Sequence, residues 1–312
     1  FTVAQTKIIL VVGLLLFFFT LQVNGAPQDV ILANLRSDTG DAFDVRFELV
    51  EEVERTPSGK VRLVLNKLGR EEDSPLHYRG DWVHLFSSTD LVNWKIVNHV
   101  IKRMPPEELF SLPQHGNGVW APSLRFHQGT YYVFFGDPDH GIYMSTTEDP
   151  EAEWAPLTLM HEATGWIDPC PLWDDDGKAY LVHAFAGSRS GLKSILAVHE
   201  MEPDGTALIG EGVLIYDGHG VNRTIEGPKF YKRDGNYYIF APAGGVKPGW
   251  QTVLKSPDPY GPYEIRTVMH QGSTDINGPH QGGWVELDNG ECWFLHFQDV
   301  DAYGRIVHMN PM

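Results

Sequence analysis

The stretch Gln128-Gly129-Thr130-Tyr131-Tyr132-Val133-Phe134-Phe135 is one of four similar stretches in this 312-residue chain. The other three are Asp176–His183, Asp234–Ala241 and Asn289–His296. In each, a polar residue and a glycine predict a tight turn, and the aromatic-rich run that follows predicts a strand. The glycines recur after 48, 58 and 55 residues (129 to 177 to 235 to 290). A sheet unit that repeats about every 40–50 residues is typical of the blades of a β-propeller.

A second recurring stretch predicts the outer strand of each blade. It occurs five times, at Val83–Trp94, Ile142–Thr147, Ser194–Val198, Gln251–Ser256 and Gly304–His308. Together the two stretches predict an all-β fold, a five-bladed β-propeller whose first blade is irregular. A β-sandwich is the alternative, but it gives no reason for an internal period of this length. The last strand ends close to the end of the sequence, so closure of the ring by its first and last segments is left open.

The composition agrees with a turn-rich all-β protein. The chain has 32 Gly, 21 Pro and 37 aromatic residues (16 Phe, 12 Tyr and 9 Trp). Aromatic residues favour strands, whereas Gly and Pro favour turns. Residues 76–312 contain no long apolar period of 3.6 residues, which argues against long helices.

The first 72 residues are predicted to lie outside the propeller. Lys7 precedes the apolar run Ile8–Phe19, and Val23-Asn24-Gly25 resembles a cleavage site, so residues 1–25 are predicted to be a secretory signal peptide. A membrane anchor is the alternative, but the run is short for a span. Residues 26–72 match no recognised family, and alternating runs on either side of Pro57-Ser58-Gly59 predict a hairpin there. The expected segments are therefore 1–25, 26–72 and a propeller at 73–312, in a secreted, extracellular protein.

The charge balance is acidic. The chain has 24 Lys and Arg against 41 Asp and Glu; without the predicted signal peptide, whose only charge is Lys7, the balance is 23 − 41 = −18. This argues against nucleic acid and anionic membrane surfaces as partners. Cys170 and Cys292 would either pair in an oxidising compartment or stay free, and a buried free thiol is the simpler interpretation for Cys170.

Two acidic residues occupy equivalent places in successive repeats. Asp168 lies in the apolar stretch Gly165–Trp173 and Glu226 lies in Thr224–Tyr231; each precedes the turn glycine of its repeat by nine residues (168 to 177 and 226 to 235). Equivalent positions of successive blades line the central axis, so both carboxyl groups are expected to point into one funnel. Partial burial and a nearby like charge raise the pKa of a carboxyl group and would keep an acid protonated near neutral pH. The alternative is that such acids only cap turns or accept bonds from backbone amides.

These motifs resemble those of glycoside hydrolase family 43, a five-bladed propeller family of β-xylosidases and α-L-arabinofuranosidases. The resemblance covers residues 76–312 and rests on Gly118–Arg125, Ile167–Pro171 followed by Trp173–Gly177, Ile225–Pro228 and Gly278–Gly282. It implies an inverting reaction with three carboxylates: a general base, a general acid, and an aspartate that orients and tunes the acid. By motif, Glu226 resembles the general acid and Asp168 the tuning aspartate.

The general base of the family has no clear counterpart. The family phrase, Asp-Pro-Asp or Asp-Pro-Ser ahead of a Gly-Asp turn, is missing from the first blade, and Asp137-Pro138-Asp139 in the second blade is interpreted as a different loop. Asp73 is the best substitute by spacing, because Gly80 follows seven residues later. Asp29 is a second candidate, and the third interpretation is that the chain has no base.

Six further residues are predicted to bind substrate: Trp120, His183, Arg189, Trp250, His280 and Arg305. The resemblance implies that His280 lies near the sugar or a bound cation and that Arg305 reaches the sugar or a catalytic carboxylate. His183 and Arg189 are expected on a rim loop of the third blade, and the two tryptophans offer flat faces to a sugar ring. For each residue a structural role is the alternative, as core for the ring side chains and as surface for the arginines.

The predicted chemistry requires no cofactor. Some relatives in the family hold calcium in the central channel, so the resemblance leaves a channel calcium open. The run Asp174-Asp175-Asp176 is better explained as a solvated turn than as a calcium site. The chain contains no His-x-x-x-His and no Cys-x-x-Cys pattern, so no transition-metal site is indicated.

The sequence therefore predicts a secreted glycosidase that cleaves β-xylosidic or α-L-arabinofuranosidic bonds of plant hemicellulose with inversion. Its expected partners are oligo- or polysaccharides such as xylan and arabinoxylan. Neither nucleic acid nor, after signal cleavage, a membrane is expected. The alternative function is a catalytically inactive, carbohydrate-binding propeller that keeps the pocket but lacks the general base.

Overall fold

The computed structural model of the protein describes residues 8–13, 83–89, 91–102, 104–110, 117–287, 289–300 and 304–312. This part of the chain forms strands and two four-residue helices. The strands are β1 (Ile8–Gly13), β2 (Val83–Ser88), β3 (Lys95–His99), β4 (Trp120–His127), β5 (Thr130–Asp137), β6 (Gly141–Thr147), β7 (Thr158–Glu162), β8 (Trp166–Trp173), β9 (Ala179–Phe185), β10 (Ile195–Met201), β11 (Leu208–Asp217), β12 (Lys229–Arg233), β13 (Asn236–Ala243), β14 (Trp250–Ser256), β15 (Glu264–His270), β16 (His280–Glu286), β17 (Cys292–Asp299) and β18 (Arg305–Pro311). The helices are α1 (Glu107–Phe110) and α2 (Gly187–Ser190).

Consecutive strands pair antiparallel into separate sheets. Three sheets have four strands, in the orders β4–β5–β6–β7, β8–β9–β10–β11 and β12–β13–β14–β15, and β16–β17–β18 form a three-stranded sheet. The first strands of successive sheets are neighbours, since β4 packs against β8 and β8 against β12. The described residues thus show an all-β, propeller-like arrangement of four blades between Trp120 and Pro311.

Four blades are one fewer than the sequence predicted. Residues 14–82, where the irregular first blade was expected to begin, lie outside the described residues. The sheet found next to them has the order β1–β2–β3. A five-bladed ring and its closure therefore stay predictions.

The four turn phrases connect the first and second strands of the blades, as predicted. Their glycines have positive φ angles of 86°, 86°, 70° and 85° at positions 129, 177, 235 and 290. Between β4 and β5 and between β12 and β13 the preceding residue is also left-handed, with φ of 48° at Gln128 and 49° at Asp234. This is the conformation of a two-residue type I′ turn, whose twist matches that of the flanking strands.

In three of its five copies, the second recurring stretch forms the third strand of a blade and not the outermost one. In three blades a further strand, β7, β11 or β15, lies outside it. The sequence analysis missed these strands because most side chains of β11 and β15 are exposed. An exposed edge strand needs no apolar alternation, so the pattern that marks inner strands is absent.

The core consists of side chains packed between neighbouring sheets. One cluster groups Phe134 of β5 with Leu181 of β9, and another groups the β8–β11 blade with the β12–β15 blade. A third groups Val83 of β2 with Val133 of β5. The sheet that contains β2 therefore packs on the first of the four blades through the same kind of face-to-face contact.

The predicted signal peptide contains a strand. β1 lies within residues 1–25 and pairs antiparallel with β2, so that Ile8 is opposite Ser88 and Gly13 is opposite Val83. A short apolar run fits a strand as well as a signal peptide, and cleavage of this segment stays a prediction. The hairpin predicted within residues 26–72 lies outside the described residues. None of the described helices has the length and apolar character needed to cross a membrane.

A backbone irregularity recurs where the first strand of a blade begins. The pairing register shifts near the start of β4, β8 and β16. Inside each shift one residue other than glycine is left-handed: Ala121 (φ 32°), Asp168 (φ 57°) and Gln281 (φ 49°). Bulges of this kind re-aim side chains, and the surrounding structure must hold the disfavoured conformation. The two polar residues of this set, Asp168 and Gln281, belong to the candidate active site.

Candidate active site

Asp168 is a buried carboxyl group near the start of β8. Its exposed fraction is 3%, and its Oδ2 accepts a 2.7 Å hydrogen bond from the backbone N–H of Gly227. Gly227 directly follows Glu226 and belongs to the next blade. The hydrogen bond therefore ties the segment that carries one predicted acid to the side chain of the other.

Glu226 lies just before β12 and faces a cleft. Its backbone N–H donates to the carbonyl oxygen of Pro242 at 3.1 Å, which anchors the residue to the second strand of its own blade. Its Oε1 lies 3.2 Å from Nε2 of His280, and its side chain is 33% exposed. The carboxyl group is thus held on one side by protein and is open to a ligand on the other.

The environment of Asp168 raises the pKa of its carboxyl group to about 6. Burial is the main cause, and the neighbouring carboxyl group of Glu226 adds to it. The ammonium group of Lys229, the Gly227 N–H and His280 act in the opposite direction, because they favour the ionised form. Two acidic side chains in unlike environments, one buried and one partly exposed, are the usual arrangement for carboxyl groups with different roles.

A cleft of about 420 Å³ lies beside Glu226. Its wall is partly apolar, from Trp120, Ile167 and Phe185, and partly polar, from Ser188 and Thr224. The volume is in the range of small-molecule sites, roughly 300–1,000 Å³, and apolar walls with a few polar groups are typical of such sites. Trp120 and Glu226 thus lie in the wall of one cleft, and their roles in substrate binding and catalysis stay predictions.

Arg189 supports the wall of the cleft. Its Nε donates to Oδ1 of Asp139 at 2.8 Å, and an Nη donates to Oδ1 of Asn117 at 3.1 Å. Its guanidinium carbon lies 5.6 Å from the ring centroid of Trp120, within reach of a cation–π contact. These bonds fix Arg189 against Trp120, and contact with a substrate stays a prediction.

His183 does not lie on a rim loop, and this part of the prediction is wrong. It lies within β9, where every residue is buried, because neighbouring sheets cover both faces of this second strand. Its ring stacks on Trp166 with 3.9 Å between centroids. Its Nε2 lies 3.1 Å from Nε2 of His199 and its Nδ1 lies 3.1 Å from the carbonyl oxygen of Ala184. His183 therefore belongs to the core.

The two buried histidines make stability depend on pH. Burial lowers the pKa of His183 to about 3 and that of His199 to about 4. The unfolded chain takes up protons on both near the ordinary pKa of 6.5, so the folded state loses stability as the pH falls from about 6.5 towards 4. We expect each histidine to lower the free energy of unfolding by about 2 kcal/mol when the pH falls from 7.5 to 5.

We expect the urea midpoints of the wild type and His199→Gln at pH 7.5 and pH 5 to show this pH dependence of stability. The drop in the midpoint between the two pH values is expected to be smaller in His199→Gln than in the wild type. His270→Gln, which changes an exposed histidine, is expected to show the same drop as the wild type. The comparison between variants removes the opposite trend that Asp168 contributes. An identical loss in His199→Gln and in the wild type would contradict the assignment.

Trp250 and Arg305 are not among the described residues that line the cleft. Trp250 donates from Nε1 to Oδ1 of Asn222 at 3.0 Å. Arg305 is exposed, with its guanidinium carbon 4.5 Å from the ring centroid of Phe297. The centroid of the Phe297 ring is in turn 5.4 Å from that of His280. Phe297 therefore lies between Arg305 and His280. Substrate contacts by Trp250 and Arg305 stay predictions.

The sequence analysis missed two cations on the first strands of the blades, the buried Lys229 and the partly buried Arg125. Both side chains contact the first strand of another blade. Lys229 of β12 donates to Oε1 of Gln281 in β16 at 3.1 Å, and an Nη of Arg125 of β4 donates to Sγ of Cys170 in β8 at 2.8 Å. The backbone N–H of Phe230 also donates to Cys170, at 3.3 Å. Cys170 and Cys292 are both free thiols, so the disulfide alternative is not realised. The available signal was a cation flanked on both sides by apolar residues, at Leu124-Arg125-Phe126 and Pro228-Lys229-Phe230.

The described residues do not fit the calcium site that the resemblance left open. Calcium takes six to eight oxygen ligands, whereas the first strands here place the ammonium group of Lys229 beside the acids. Within the described ranges, no group of three or more His, Cys, Asp or Glu is arranged to hold a metal. In the Asp174–Asp176 run, Asp174 is bound by Lys232 and Tyr237, and Asp176 accepts from the Lys178 N–H at 2.9 Å.

The general base is the part of the site that the described residues do not contain. Asp73 and Asp29 both lie outside them. In the Asp-Pro-Asp phrase of the second blade, Asp137 is fully buried with its Oδ2 3.1 Å from Nδ1 of His140, and Asp139 is bound to Arg189. Chemically, the described arrangement places one carboxyl group at a cleft and a second, buried carboxyl group next to it, and a carboxyl group at a cleft is a type of side chain that general acid–base catalysis uses.

Comparison with known proteins connects this arrangement to characterised relatives. The sequence profile of "Glycosyl hydrolases family 43" matches residues 76–312. The chain is 44% identical over 238 residues to a "Putative beta-xylosidase" of Xylanibacter ruminicola, covering 76% of this chain and 44% of that protein. It is 30% identical over 237 residues to the "Non-reducing end alpha-L-arabinofuranosidase BoGH43B" of Bacteroides ovatus, covering 72% of this chain and 43% of that protein.

A solved structure agrees with the sequence matches. The crystal structure of the GH43 BlXynB protein from Bacillus licheniformis superposes with a TM-score of 0.62 at 28% identity, covering 73% of this chain and 47% of that one. The chain thus spans less than half the length of these three relatives. On the profile match and the identity to its relatives, the chain belongs to glycosyl hydrolases family 43.

Proposed function

We propose that this chain is the catalytic propeller of a glycosidase that cleaves β-xylosidic or α-L-arabinofuranosidic bonds. The proposal rests on one observation. Asp168 accepts a hydrogen bond from the N–H of Gly227, the residue after Glu226 in the neighbouring blade, and Glu226 lines a sugar-sized cleft. Family membership and the names of the relatives, which include a β-xylosidase and an α-L-arabinofuranosidase, support these two bond types.

Glu226 is the proposed general acid. Its partly exposed carboxyl group gives its proton to the glycosidic oxygen as the bond from that oxygen to the anomeric carbon breaks. Water attacks the anomeric carbon from the opposite face and loses a proton to a base, for which Asp73 is the proposed residue. Inversion requires this base to lie about 6.5–9.5 Å from the acid, so that the water fits between them.

Asp168 is the proposed tuning residue. It is too buried to act on the substrate directly, but its carboxyl group holds the Gly227 N–H, directly after Glu226, and so it is proposed to orient that acid and to set the charge beside it. Trp120 is proposed to stack on the sugar, and xylan and arabinoxylan are the proposed polymeric substrates. We further propose that the sheet containing β2 and β3 is the irregular first of five blades, and that the protein is secreted.

The direct test is hydrolysis of aryl β-D-xylopyranoside and aryl α-L-arabinofuranoside by the purified chain. We expect release of the aryl alcohol from at least one of them. Proton NMR of the first-formed sugar is expected to show the inverted anomer, for example α-xylose from a β-xyloside. Retention of configuration would contradict the inverting mechanism while leaving the glycosidase proposal intact.

The second candidate is a carbohydrate-binding propeller without catalysis. It is favoured by the weak match of the sequence to the base motif of the family. A folded protein that binds xylo- or arabino-oligosaccharides in titration calorimetry but hydrolyses neither aryl glycoside would establish this alternative. Absence of both binding and hydrolysis would exclude both functions.

A further inference from the structure

Lys229 is a buried cation whose hydrogen bonds all go to neutral groups. It is 8% exposed, and its Nζ donates to the carbonyl oxygens of Gly227 at 3.3 Å and Pro228 at 3.4 Å and to Oε1 of Gln281 at 3.1 Å. An ammonium group has three donors, so these three acceptors satisfy it. Burial of a charge is unfavourable without compensation. The position of the Lys229 ammonium group beside two carboxyl groups therefore calls for an explanation.

Two of the three acceptors are the carbonyl oxygens of Gly227 and Pro228, the two residues that follow Glu226. The N–H of Gly227 is bound to Asp168 at 2.7 Å and its carbonyl oxygen is bound to Lys229, so Gly227 is held from two sides. It is left-handed, with φ of 59°, and a Cβ at this position would lie 2.9 Å from the side-chain amide of Gln281. Gln281 therefore packs directly on Gly227 and closes the third side.

Gln281 reaches this point from a different blade. It is the left-handed residue in the bulge at the start of β16, directly after His280. The bulge directs His280 to Glu226 and Gln281 to Lys229, at 3.2 Å and 3.1 Å respectively. Two adjacent residues of one blade thus contact both the acid and the cation of the preceding blade.

The charge of Lys229 also acts on Asp168. The charged and titratable groups that face Asp168 are Glu226 and Lys229 from the β12 blade and His280 from β16. Arg125 of β4 contacts Cys170, two residues along β8. Burial and Glu226 raise the pKa of Asp168, whereas Lys229 and His280 lower it. Loss of the Lys229 charge therefore removes a group that favours ionised Asp168.

We propose that Lys229 and Gln281 are positioning residues of the acid pair: together they clamp the Glu226–Gly227 segment against Asp168, and the ammonium group supplies a positive charge that faces its carboxyl group. The catalytic meaning of this inference rests on the proposed function. The two residues have separable effects, because Lys229 supplies both charge and anchoring whereas Gln281 supplies anchoring alone.

The test uses pH profiles of kcat/KM on an aryl β-xyloside for Lys229→Met, Lys229→Arg and Gln281→Leu. In Lys229→Met the acidic limb is expected to move up by about one pH unit, because Asp168 takes up a proton at higher pH. Lys229→Arg keeps the charge and is expected to keep the limb. Gln281→Leu is expected to lower kcat about tenfold or more through misplacement of the acid, with the limb unmoved. Lys255→Met, which removes an exposed lysine of the same blade, serves as the matched control.

A purely structural role of Lys229 predicts a lower melting temperature and less activity with no movement of the limb, and that result overturns the proposal. If Lys229→Met does not fold, Gln281→Glu replaces it. The new carboxylate would neutralise the ammonium group, and the limb is again expected to move up. An unmoved limb in folded Gln281→Glu overturns the proposal as well.

Failure of the proposed function is distinguishable from failure of this inference. If the wild type hydrolyses neither aryl glycoside, the function fails, and carbon-13 NMR titration of the Asp168 carboxyl group then tests the inference without activity. The pKa of Asp168 is expected to be higher in Lys229→Met than in the wild type and unchanged in Lys255→Met. Equal values in all three proteins would overturn it.

Discussion

Replacement of Glu226 by glutamine is expected to lower kcat/KM on aryl β-xylosides by about 10²- to 10⁴-fold, the usual contribution of a general acid. Glutamine has nearly the same size, but it has no proton to give to the leaving oxygen. The loss is expected to depend on the leaving group. A dinitrophenyl xyloside, whose phenolate leaves without protonation, loses least, and a methylumbelliferyl xyloside loses more.

The matched control for this experiment is Glu264→Gln, which makes the same change at an exposed residue of the same blade. It is expected to behave as the wild type with both substrates. A uniform loss across leaving groups in Glu226→Gln would mean that this carboxyl group acts in some way other than as the acid. Full activity would remove Glu226 from the mechanism.

Replacement of Asp168 by asparagine is expected to lower kcat by about 10²-fold or more, although Asp168 does not reach the substrate. Oδ1 of asparagine can still accept the Gly227 N–H, so the main loss is the negative charge next to Glu226. The substitution removes the charge beside Glu226 and keeps the hydrogen-bond geometry, so the pH profile of kcat/KM is expected to change together with kcat. Pre-equilibrated pH series with one aryl xyloside measure both effects.

The same substitution is expected not to weaken the fold at neutral pH. The ordinary pKa of the aspartate carboxyl group is 3.8, and the folded state raises it to about 6. The folded protein therefore binds more protons than the unfolded chain in this window, and its stability falls as the pH rises from 3.8 to about 6. Asparagine removes this contribution, so the urea midpoint of Asp168→Asn at pH 7.5 is expected to equal or exceed that of the wild type.

Asp168→Asn is thus expected to lower activity without lowering stability. This is the behaviour of a site in which a functional residue is kept at a cost in stability. Asp234→Asn, in an exposed type I′ turn that suits asparagine, is the control and is expected to change neither. A lower midpoint for Asp168→Asn at pH 7.5 would show that Asp168 is mainly a structural hydrogen-bond acceptor. An unchanged kcat would show that it does not tune the acid.

Much of the fold follows from local sequence. The polar-Gly pairs at Gln128-Gly129 and Asp234-Gly235 need left-handed backbone, and the structure has it there. The aromatic-rich apolar run that follows each pair marks the inner strands, because each of these must bury apolar side chains between two sheets. The outermost strands β7, β11 and β15 carried no such mark, since an edge strand facing solvent is under no such constraint.

Part of the site also follows from the repeat. Asp168 and Glu226 stand at equal distances before their turn glycines, and a repeated unit brings equivalent positions of neighbouring blades together. His183 shows the limit of this reasoning. Its motif looked like a rim loop, but the length of β9 places it within a fully buried strand. Strand length is decided by the neighbouring sheets and not by the few residues around a motif.

The sequence by itself determined the blade repeat, the turns and the two acids, because these depend on residue type and spacing along the chain. Only the tertiary structure decided that Asp168 and Gln281 sit in left-handed bulges and that Lys229 and Gln281 meet around Gly227. Those contacts join residues from different blades that are more than 50 positions apart. The physical reason is that a bulge and a buried charge are locally unfavourable, and only the packing of neighbouring blades makes them stable.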